Sequence, residues 1–564
     1  MTVVDQRMLT LTLLPEQQKV QIPYGSTLQG LLRQIAHKSA LPVIAGKVNN
    51  KIYDLDKPLQ EEATVEFMDQ GSRDGILIYQ RSLFFILVRA VQELYPDIKV
   101  SINHSLSRGF YCELIHRDRQ PRELLILTEE DLQKIEGRMR EIIAADEPFI
   151  REEMSREDAI RYFEQRGMDD KVRLLRYRKD AKVSLYSCGP VKNHFYGILA
   201  PRAGLIRLFK LKLYPPGFVL RLPTVEEPHR VPPFIRQEKM FQVFQEYEHW
   251  GNILGIENVA DLNDVITKGN ILELILIAES LHEKRIAHIA DQFTGYKTHP
   301  RIIMISGPSS SGKTTFSKRL TIQLRVNGLR PHLISLDDYF VDREQTPRDE
   351  RGEFDFEAFQ AIDAQLFVNN LRALLRGEEV AMPRFNFKAG RSMQGPTIRL
   401  SPDQVIIVEG IHALNTELTK SIPEGLKFKV YVSALTQLNI DEHNRVSTSD
   451  VRLIRRLVRD NCFRGYKADE TLGRWDSVRR GEEKHIFPYQ ENAHVIFNSA
   501  LIYELGVLKT FAEPLLEEIA RELPSYSEAR RLLKFVSYFL PIDHKQVPHT
   551  SILREFLGGS CFVY

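Results

Sequence analysis

The chain has 564 residues, of which 43% are hydrophobic and 27% are charged. Single hydrophobic cores stop growing at about 250–300 residues, so this length predicts several domains of ordinary globular composition. The formal net charge of +2 excludes a strongly basic or acidic chain and gives no overall attraction to nucleic acid or to a membrane surface.

Targeting signals and disulfides are not predicted. The first residues, MTVVDQRMLTLTLL, include an early Asp and have no long apolar core, unlike a secretory signal. No apolar run approaches the roughly 20 residues that a membrane helix needs. We therefore expect a cytoplasmic protein without membrane contact, and its four scattered cysteines, without CxxC spacing, fit a reducing compartment rather than a disulfide framework or a zinc ribbon: Cys112, Cys188, Cys462 and Cys561.

The N-terminal half contains two different patterns. Residues 1–70 alternate short β-type runs such as LTLTLL and ATVEFMD with turns and one helical run, LQGLLRQIAHKSAL, which predicts a β-grasp module. Residues 71–222 mix strands with amphipathic helices, among them RSLFFILVRAVQELY. Thr128 and Ser155 are predicted N-caps of two further helices, and Gly167 is a predicted stop. This second pattern predicts an α+β domain.

The C-terminal half changes to a third pattern. Residues 223–298 begin with the proline-rich run PTVEEPHRVPP and continue as helices, which predicts a connector. Over 299–520, the short aliphatic runs RIIMIS, PHLISL, QVIIVEG, KFKVYV and HVIFN alternate with helices. Such alternation predicts a parallel sheet flanked by helices, and a helix with a Gly–Gly turn is predicted within 521–564. The whole chain is thus predicted to be a multidomain α/β protein.

A phosphate-binding motif follows the first of these strands. The segment GPSSSGKTT fits GxxxxGK[ST]. Backbone N–H groups of such a loop converge on phosphate oxygens, and the following helix directs its positive N-terminal end at the same anion. Lys313 can reach the β- and γ-phosphates, and the hydroxyl of Thr314 can bind Mg²⁺. The predicted site for ATP and Mg²⁺ comprises Gly307, Pro308, Ser309, Ser310, Ser311, Gly312, Lys313, Thr314 and Thr315.

Carboxylates follow two of the predicted strands. LISLDDYF places Asp337 and Asp338 at the sheet edge where parallel-sheet proteins bind ligands. Either could accept the proton of a substrate hydroxyl, or both could be turn residues. VIIVEG places Glu409 at the end of an apolar strand, where it would hold Mg²⁺ with Thr314 and Asp337. An NKxD motif does not occur in the chain, which disfavours a GTPase.

A run of arginines follows, in VRLIRRLVRDNCFRGYK. Like charges on one helical face repel each other unless an anion lies between them. The run therefore predicts a lid that closes on phosphates. The alternative is a solvated basic face, or salt bridges to Asp450, Asp460 and Asp469. The arginines are Arg452, Arg455, Arg456, Arg459 and Arg464.

Taken in order, GPSSSGKTT, SLDDYF, VIIVEGIHAL and RLIRRLVRD…RG resemble the motifs of the uridine kinase/phosphoribulokinase family over roughly 300–500. The resemblance implies a P-loop kinase that uses ATP and Mg²⁺ to phosphorylate a hydroxyl of a nucleoside or a related sugar-containing metabolite. It implies Asp337 as the catalytic base and Glu409 at the magnesium ion. It further implies that Arg455 and Arg456 contact the nucleotide, that Arg459 acts with Lys313 in catalysis, and that Arg464 contacts the acceptor.

The acceptor pocket departs from the family pattern. The family's Asn-Phe-Asp-x-Pro segment corresponds to GEFDFEAFQAID, which lacks the Pro. Its Pro-x-Tyr-Asp-Phe segment, followed by a base-contacting His, corresponds to PRFNFKAGR, where Phe385 replaces the Tyr and Gly390 stands near the His position. We therefore expect phosphate chemistry to be retained, without a preference for uridine. The predicted acceptor-binding residues are Asp338, Tyr339, Asp355, Glu357, Phe385, Arg391 and Arg464.

An alternative acceptor is a phosphorylated sugar, as in phosphoribulokinase. Its phosphate would require basic residues in the pocket, and Arg384, Lys388 and Arg391 are the candidates. The residues alone do not decide between the two acceptors.

The N-terminal half has its own resemblances. Residues 1–70 resemble a TGS domain in IPYGSTL, KVNNKIYDLD and VEFMD, and 71–220 resemble the second N-terminal domain of threonyl-tRNA synthetase in YPDIKVSINHSLSRGFYCEL and SREDAIRYFEQRG. That family domain carries an HxxxH helix and a Cys–His pair. Here the helix reads YQRSLFFIL, and SCGPVKNHF keeps Cys188 but displaces the His to His194. One thiol and a displaced His do not make a metal site.

This half is therefore interpreted as a former editing module that serves as a regulatory or RNA-sensing scaffold, or as a purely structural one. A different class of function, an ATP-sensing regulator that contacts RNA or the ribosome through the TGS-like domain, stays open. So does a homo-oligomer.

Overall fold

The computed structural model describes residues 7–35, 39–117, 122–297, 299–349, 352–387, 389–436 and 438–563. Its N-terminal module is a mixed five-stranded sheet in the order β2-β1-β5-β3-β4, in which β1 and β5 are parallel. This topology confirms the predicted β-grasp. The helix predicted from Leu28 ends at Gln34, and 36–38 lie outside the described ranges. The elements are β1 (Met8–Leu14), β2 (Gln18–Pro23), α1 (Leu28–Gln34), β3 (Ala45–Val48), β4 (Lys51–Tyr53) and β5 (Ala63–Met68).

The second region is an α+β unit with two antiparallel sheets, in the orders β11-β12-β7-β6 and β10-β9-β8. Both predicted caps are confirmed, since the side chain of Thr128 accepts from Asp131 N and that of Ser155 from Asp158 N. Gly167, with φ +63°, follows the end of α4 as predicted. The elements are α2 (Arg73–Leu94), β6 (Ile98–Leu106), β7 (Gly109–His116), α3 (Glu129–Ala145), β8 (Ile150–Ser155), α4 (Arg156–Glu164), α5 (Asp169–Arg176), β9 (Lys182–Cys188), β10 (Val191–His194), β11 (Lys210–Tyr214) and β12 (Gly217–Arg221).

The predicted connector contains three helices, α6 (Glu238–Leu254), α7 (Val259–Thr267) and α8 (Ile271–Thr294). Ile275 and Ile286 of α8 lie in one hydrophobic core with Ile303 of the following strand. These helices therefore form a packed layer on the C-terminal domain rather than an extended linker.

The C-terminal domain is built on a five-stranded parallel sheet in the order β14-β17-β13-β18-β19, and its strands confirm all five predicted runs. Alternate residues of β13 enter different cores: Ile303 and Ile305 one, Ile302 and Met304 the other. Both faces are thus covered, as parallel sheets require. The elements are β13 (Ile302–Ser306), α9 (Lys313–Val326), β14 (Arg330–Ser335), α10 (Ala364–Leu375), the hairpin β15 (Val380–Asn386) and β16 (Arg391–Ile398), β17 (Gln404–Glu409), α11 (Thr416–Thr419), β18 (Lys427–Ser433), α12 (Thr448–Arg459), α13 (Ala468–His485), β19 (Val495–Asn498) and α14 (Glu504–Glu517).

The C-terminal segment, predicted as one helix and a turn, contains two helices, α15 (Tyr526–Val536) and the short α16 (Arg554–Leu557). Gly558 and Gly559 follow α16 with positive φ angles, as a turn requires. Phe535 and Phe556 belong to the same core as β13. The segment therefore packs as part of the C-terminal domain. Among the described residues, no helix combines the length and the apolar character needed to cross a membrane.

Candidate active site

The phosphate loop joins β13 to α9 and is tightly curled. A Cβ on Gly307 would lie 2.0 Å from the carbonyl oxygen of Val432, so only glycine fits there. Gly312, with φ +84°, ends the loop, and Ser310 also has a positive φ of 58°. Lys313 is the first residue of α9, so the backbone N–H groups of this first turn have no acceptor within the helix itself. The loop has the geometry that phosphate binding requires.

Side chains within the loop are oriented by its own backbone. Nζ of Lys313 donates to the carbonyl oxygen of Pro308 at 3.1 Å. The hydroxyl groups of Ser310 and Ser311 are buried and have no hydrogen-bond partner among the described residues. Buried polar atoms without partners cost free energy, and a bound ligand that supplied partners would remove that cost.

Strand register brings the predicted carboxylates together. Ser335 is the residue opposite Glu409 in the neighbouring parallel strand. The hydroxyl of Ser335 donates to Glu409 Oε1 at 3.1 Å and accepts from the backbone N–H of Asp337 at 3.3 Å. The last residue of β17 and the turn after β14 thus meet at the edge of the sheet beside the phosphate loop, as predicted.

Electrostatics at this edge favour a cation. Burial, and next the charge of the Asp337 carboxylate, raise the pKa of Glu409 to about 7, while Lys313 opposes the shift. Hydroxyl and carboxylate oxygens from Thr314, Asp337 and Glu409 are the type of ligand that Mg²⁺ prefers. Among the described residues, no three His, Cys, Asp or Glu side chains form a metal site by themselves. A magnesium ion here would therefore also need phosphate or water oxygens, which is its usual coordination beside a nucleotide.

Two of the predicted lid arginines are buried beside the phosphate loop and are paired with carboxylates. Arg455 is fully buried, pairs with Glu504 at 2.6 Å and donates to the carbonyl oxygen of Ser310 at 3.4 Å. Arg452 pairs with the buried Glu482 at 2.7 Å. These arginines hold the loop in shape, and their guanidinium groups are already engaged by carboxylates.

The other three arginines converge on Asp460, which is one of the three aspartates predicted from the sequence as salt-bridge partners. Arg456, Arg459 and Arg464 lie 3.2, 3.0 and 3.5 Å from its carboxylate oxygens. Arg456 also donates to the hydroxyl of Ser309 in the phosphate loop at 2.9 Å. Burial, and next the charge of Arg459, lower the pKa of Arg464 to about 10. This crowding of positive charge beside the loop would be relieved by a polyphosphate.

The acceptor side contains carboxylates and a buried histidine. Burial, and next the charge of Glu482, raise the pKa of Glu357 to about 7, and its Oε2 has no partner among the described residues. Asp355 lies close by and accepts from the backbone N–H of Glu357 at 3.1 Å. His412, which sequence reasoning missed, is fully buried, and its ring interacts with the backbone of Glu357 and Ala358. It follows Glu409 in VEGIH, so a polar residue just past a strand end was the signal available.

Other predicted acceptor residues lie at the hairpin contact, in the core or on the exposed surface. Asp338 accepts from the backbone N–H of Phe385 at 3.3 Å, which fixes the hairpin to the turn after β14. Tyr339 is only 2% exposed, and its hydroxyl accepts from Asn370, so it belongs to the core. Arg391 is exposed at the start of β16. Lys388 lies outside the described residues.

Two glutamates near the loop were not singled out from the sequence. Glu482, on α13, accepts from the backbone N–H of Ser309 at 3.0 Å. Glu555, on α16, accepts from the backbone N–H of Thr315 at 3.0 Å. Both come from segments far along the chain, and no local pattern marks them.

A second polar cluster lies in the region 71–222, around Cys188. Arg89 forms two hydrogen bonds of 3.0 Å to Glu147, one of 2.8 Å to Glu93 and one of 3.2 Å to the Cys188 thiol. His194 lies elsewhere, between the carbonyl of Ser184 and the hydroxyl of Tyr538. An arginine and its partners thus surround the thiol.

Comparison with known proteins gives different matches for the C-terminal domain and for the N-terminal region. Residues 302–503 match the model of the Phosphoribulokinase / Uridine kinase family. The N-terminal region is similar to threonine–tRNA ligases: that of Symbiobacterium thermophilum is 32% identical over 199 residues, which is 35% of this chain and 30% of that one. Threonine–tRNA ligase 1 of Bacillus subtilis is 34% identical over 188 residues, covering 33% and 28%. The chain thus spans only about 30% of the length of these ligases.

Solved structures match this chain with low TM-scores. A possible uridine kinase from Bacillus stearothermophilus is 22% identical, covers 38% of this chain and 98% of its own, and has a TM-score of 0.27. D-glycerate 3-kinase from Cryptococcus neoformans is 13% identical, covers 48% and 87%, and has a TM-score of 0.21. The C-terminal domain is thus similar to the Phosphoribulokinase / Uridine kinase family, and the N-terminal region is similar to threonine–tRNA ligases.

Proposed function

We propose that the C-terminal domain transfers the γ-phosphoryl group of ATP to a hydroxyl of a nucleoside or a related neutral sugar. One observation carries the proposal: Lys313 at the end of the phosphate loop and the Asp337 carboxylate both lie near Glu409, and Ser335 bridges Glu409 to the backbone N–H of Asp337 at the sheet edge. A loop alone would serve an ATPase equally well. Unlike an ATPase, a kinase also needs one carboxylate that takes the proton of the acceptor hydroxyl, next to a second carboxylate that binds the metal.

Each residue then has a role. Asp337 accepts the proton of the attacking hydroxyl. Lys313 places its charge on the β- and γ-phosphates, and Arg459 adds positive charge near the transferred group. Thr314 and Glu409 would hold Mg²⁺, which neutralises charge on the phosphates when bound.

The acceptor pocket favours a neutral polyol over a phosphosugar. Its buried Glu357 Oε2 lacks a partner among the described residues, so it can bind an acceptor hydroxyl group. A phosphate would instead meet the carboxylates of Asp355 and Glu357. Arg391, a candidate phosphate contact, is exposed on the hairpin.

The test is ADP release from ATP and Mg²⁺ in the presence of a panel of nucleosides, neutral sugars and phosphosugars. We expect at least one nucleoside or neutral sugar to raise ADP release well above basal hydrolysis. Asp337→Asn should lower that acceptor-dependent rate by about 10²- to 10⁴-fold, the usual contribution of a general base. Asp403→Asn is the matched control, since Asp403 is 60% exposed and only loosely paired with Arg330.

Two results would contradict the proposal. Stimulation by phosphosugars alone would overturn the neutral acceptor while keeping the kinase. A rate that no acceptor raises and that Asp337→Asn leaves unchanged would overturn the kinase itself.

A further inference from the structure

The C-terminal segment beyond the family match lies directly on the phosphate loop. Ile552 and Phe556 are fully buried there. A Cβ on Gly312 would lie 2.5 Å from a methyl group of Ile552, so the loop glycine and the segment are in close contact. Residues after Tyr503, where the family match ends, thus contribute to the surroundings of the nucleotide site.

The side chain of Glu555, in this segment, accepts hydrogen bonds from donors at the end of the phosphate loop. Oε2 of Glu555 accepts from the backbone N–H of Thr315 at 3.0 Å and from its hydroxyl at 2.7 Å. Thr315 is in the first turn of α9, next to the predicted magnesium ligand Thr314. N–H groups of this turn are those that cradle nucleotide phosphates in loops of this type. A carboxylate is an anion that accepts the same hydrogen bonds, so Glu555 stands where a phosphate oxygen would bind.

The position of Glu555 is built into the fold. Arg554 is buried and donates to the carbonyl oxygens of His544, Val547 and Gly558, which closes the segment around α16. The ring of Phe556 lies 5.1 Å from the guanidinium of Arg455. That arginine also donates to the phosphate loop. The loop, the arginine helix α12 and α16 therefore hold one another.

We propose that the Glu555 carboxylate is an intramolecular competitor of the nucleotide, which binds the phosphate loop when ATP is absent and must be displaced when ATP enters. Glu555 itself is only half-buried, whereas its neighbours on α16 are buried. Rotation of this one side chain can therefore vacate the loop without unpacking Ile552 or Phe556. The inference rests on the proposed function, since it takes the nucleotide to be ATP.

Equilibrium binding of ATP with Mg²⁺ tests the competition without any acceptor. Calorimetric titration of the full-length protein should show that Glu555→Ala binds ATP roughly ten- to a hundredfold more tightly than the unsubstituted protein, because two charge-assisted hydrogen bonds no longer have to be broken. Glu555→Gln, which keeps the shape but loses the charge, should fall between them. Glu518→Gln, an exposed glutamate after α14, should leave the Kd unchanged.

A second readout separates competition from a supporting role. Without nucleotide, Glu555→Ala should melt at a lower temperature, because the N-terminal turn of α9 loses its anion. Tighter ATP binding together with lower nucleotide-free stability is the signature of a competitor. If Glu555→Ala does not fold, Glu555→Gln decides alone.

An unchanged or weaker affinity for ATP in the folded Glu555 variants would overturn the inference and would indicate that Glu555 only lines the site. Failure of the unsubstituted protein and all variants to bind ATP would instead contradict the kinase proposal, so the two failures are distinguishable.

Discussion

The two polar clusters of this molecule contrast in how their charges are compensated. Around Arg89, every charge has a partner: Glu93, Glu147 and the Cys188 thiol share one guanidinium. At the phosphate loop, Glu409 is buried beside another carboxylate and its pKa is raised to about 7. Serine hydroxyl groups without a hydrogen-bond partner in the described part of the chain complete that site.

The difference teaches how to distinguish a closed structural cluster from a site that awaits a ligand. A buried ion pair with satisfied hydrogen bonds leaves nothing for a ligand to gain. A buried carboxylate whose pKa is raised by burial and by a neighbouring carboxylate, next to buried polar atoms without partners among the described residues, is stabilised when a cation and hydrogen-bonding groups arrive. By this criterion, the cluster around Arg89 is a structural one, and the cluster at the phosphate loop has the features of a ligand-binding site.

Substitution of the loop lysine should break the functional cluster most strongly. We expect Lys313→Met to lower acceptor-dependent ADP release by about 10²- to 10³-fold, since it removes a preorganised charge from the phosphates. The measurement is steady-state kinetics with the best acceptor. Lys420→Met, on a residue whose side chain is 71% exposed, is the control. Activity within a few-fold of the unsubstituted protein would remove Lys313 from the site.

Sequence reasoning recovered the elements whose signals are local. The five parallel strands, the phosphate loop and the proximity of Asp337 to Glu409 follow from apolar runs, from a short motif and from the rule that strand ends meet at one edge. The helix caps at Thr128 and Ser155 were equally local.

What sequence reasoning missed depends on long-range packing. Arg455 looked like a free phosphate contact, but Glu504 engages it from 49 residues away. Glu555 reaches Thr315 across 240 residues, and the spacing of neither residue could indicate that contact. Tyr339 was grouped with the acceptor because it follows two aspartates, yet its aromatic ring fills the core beside Phe367.

Substitution of Arg89 should break the structural cluster without affecting the chemistry. Arg89→Met leaves Glu147 and Glu93 without their shared partner, and since these carboxylates keep some solvent contact, we expect a loss of about 2–3 kcal/mol of unfolding free energy, less than for a fully buried pair. Chemical denaturation measures the loss, and ADP release should stay unchanged. Arg140→Met, at an exposed pair with Glu136, should cost less than about 1 kcal/mol. A loss of kinase activity with intact stability would contradict this division of roles.

The pH dependence of acceptor binding tests whether Glu357 contacts the acceptor at the phosphate-loop cluster. A carboxyl group whose pKa is raised to about 7, as that of Glu357 is, is uncharged below that pH and ionised above it. Acceptor hydroxyl groups that donate to the ionised form should therefore bind more tightly as pH rises, and the KM for the acceptor should fall about tenfold from pH 6 to pH 8. Glu357→Gln should remove this dependence. A KM that rises with pH would indicate that the protonated acid is the binding form.

Thiol reactivity is the smallest effect and examines the closed cluster directly. Burial raises the pKa of the Cys188 thiol, against the opposing influence of Arg89. Cys112 is buried as well, while Cys462 and Cys561 are exposed. Because the thiolate is the reactive form and must also be accessible, iodoacetamide should modify Cys561 and Cys462 in the native protein and leave Cys112 and Cys188 intact. Peptide mass spectrometry gives the labelling rates, with urea-unfolded protein, in which all four free cysteines should react, as the control. Rapid native labelling of Cys188 would show that the thiol beside Arg89 is accessible, and the region similar to threonine–tRNA ligases would then contain an open site rather than a closed structural cluster.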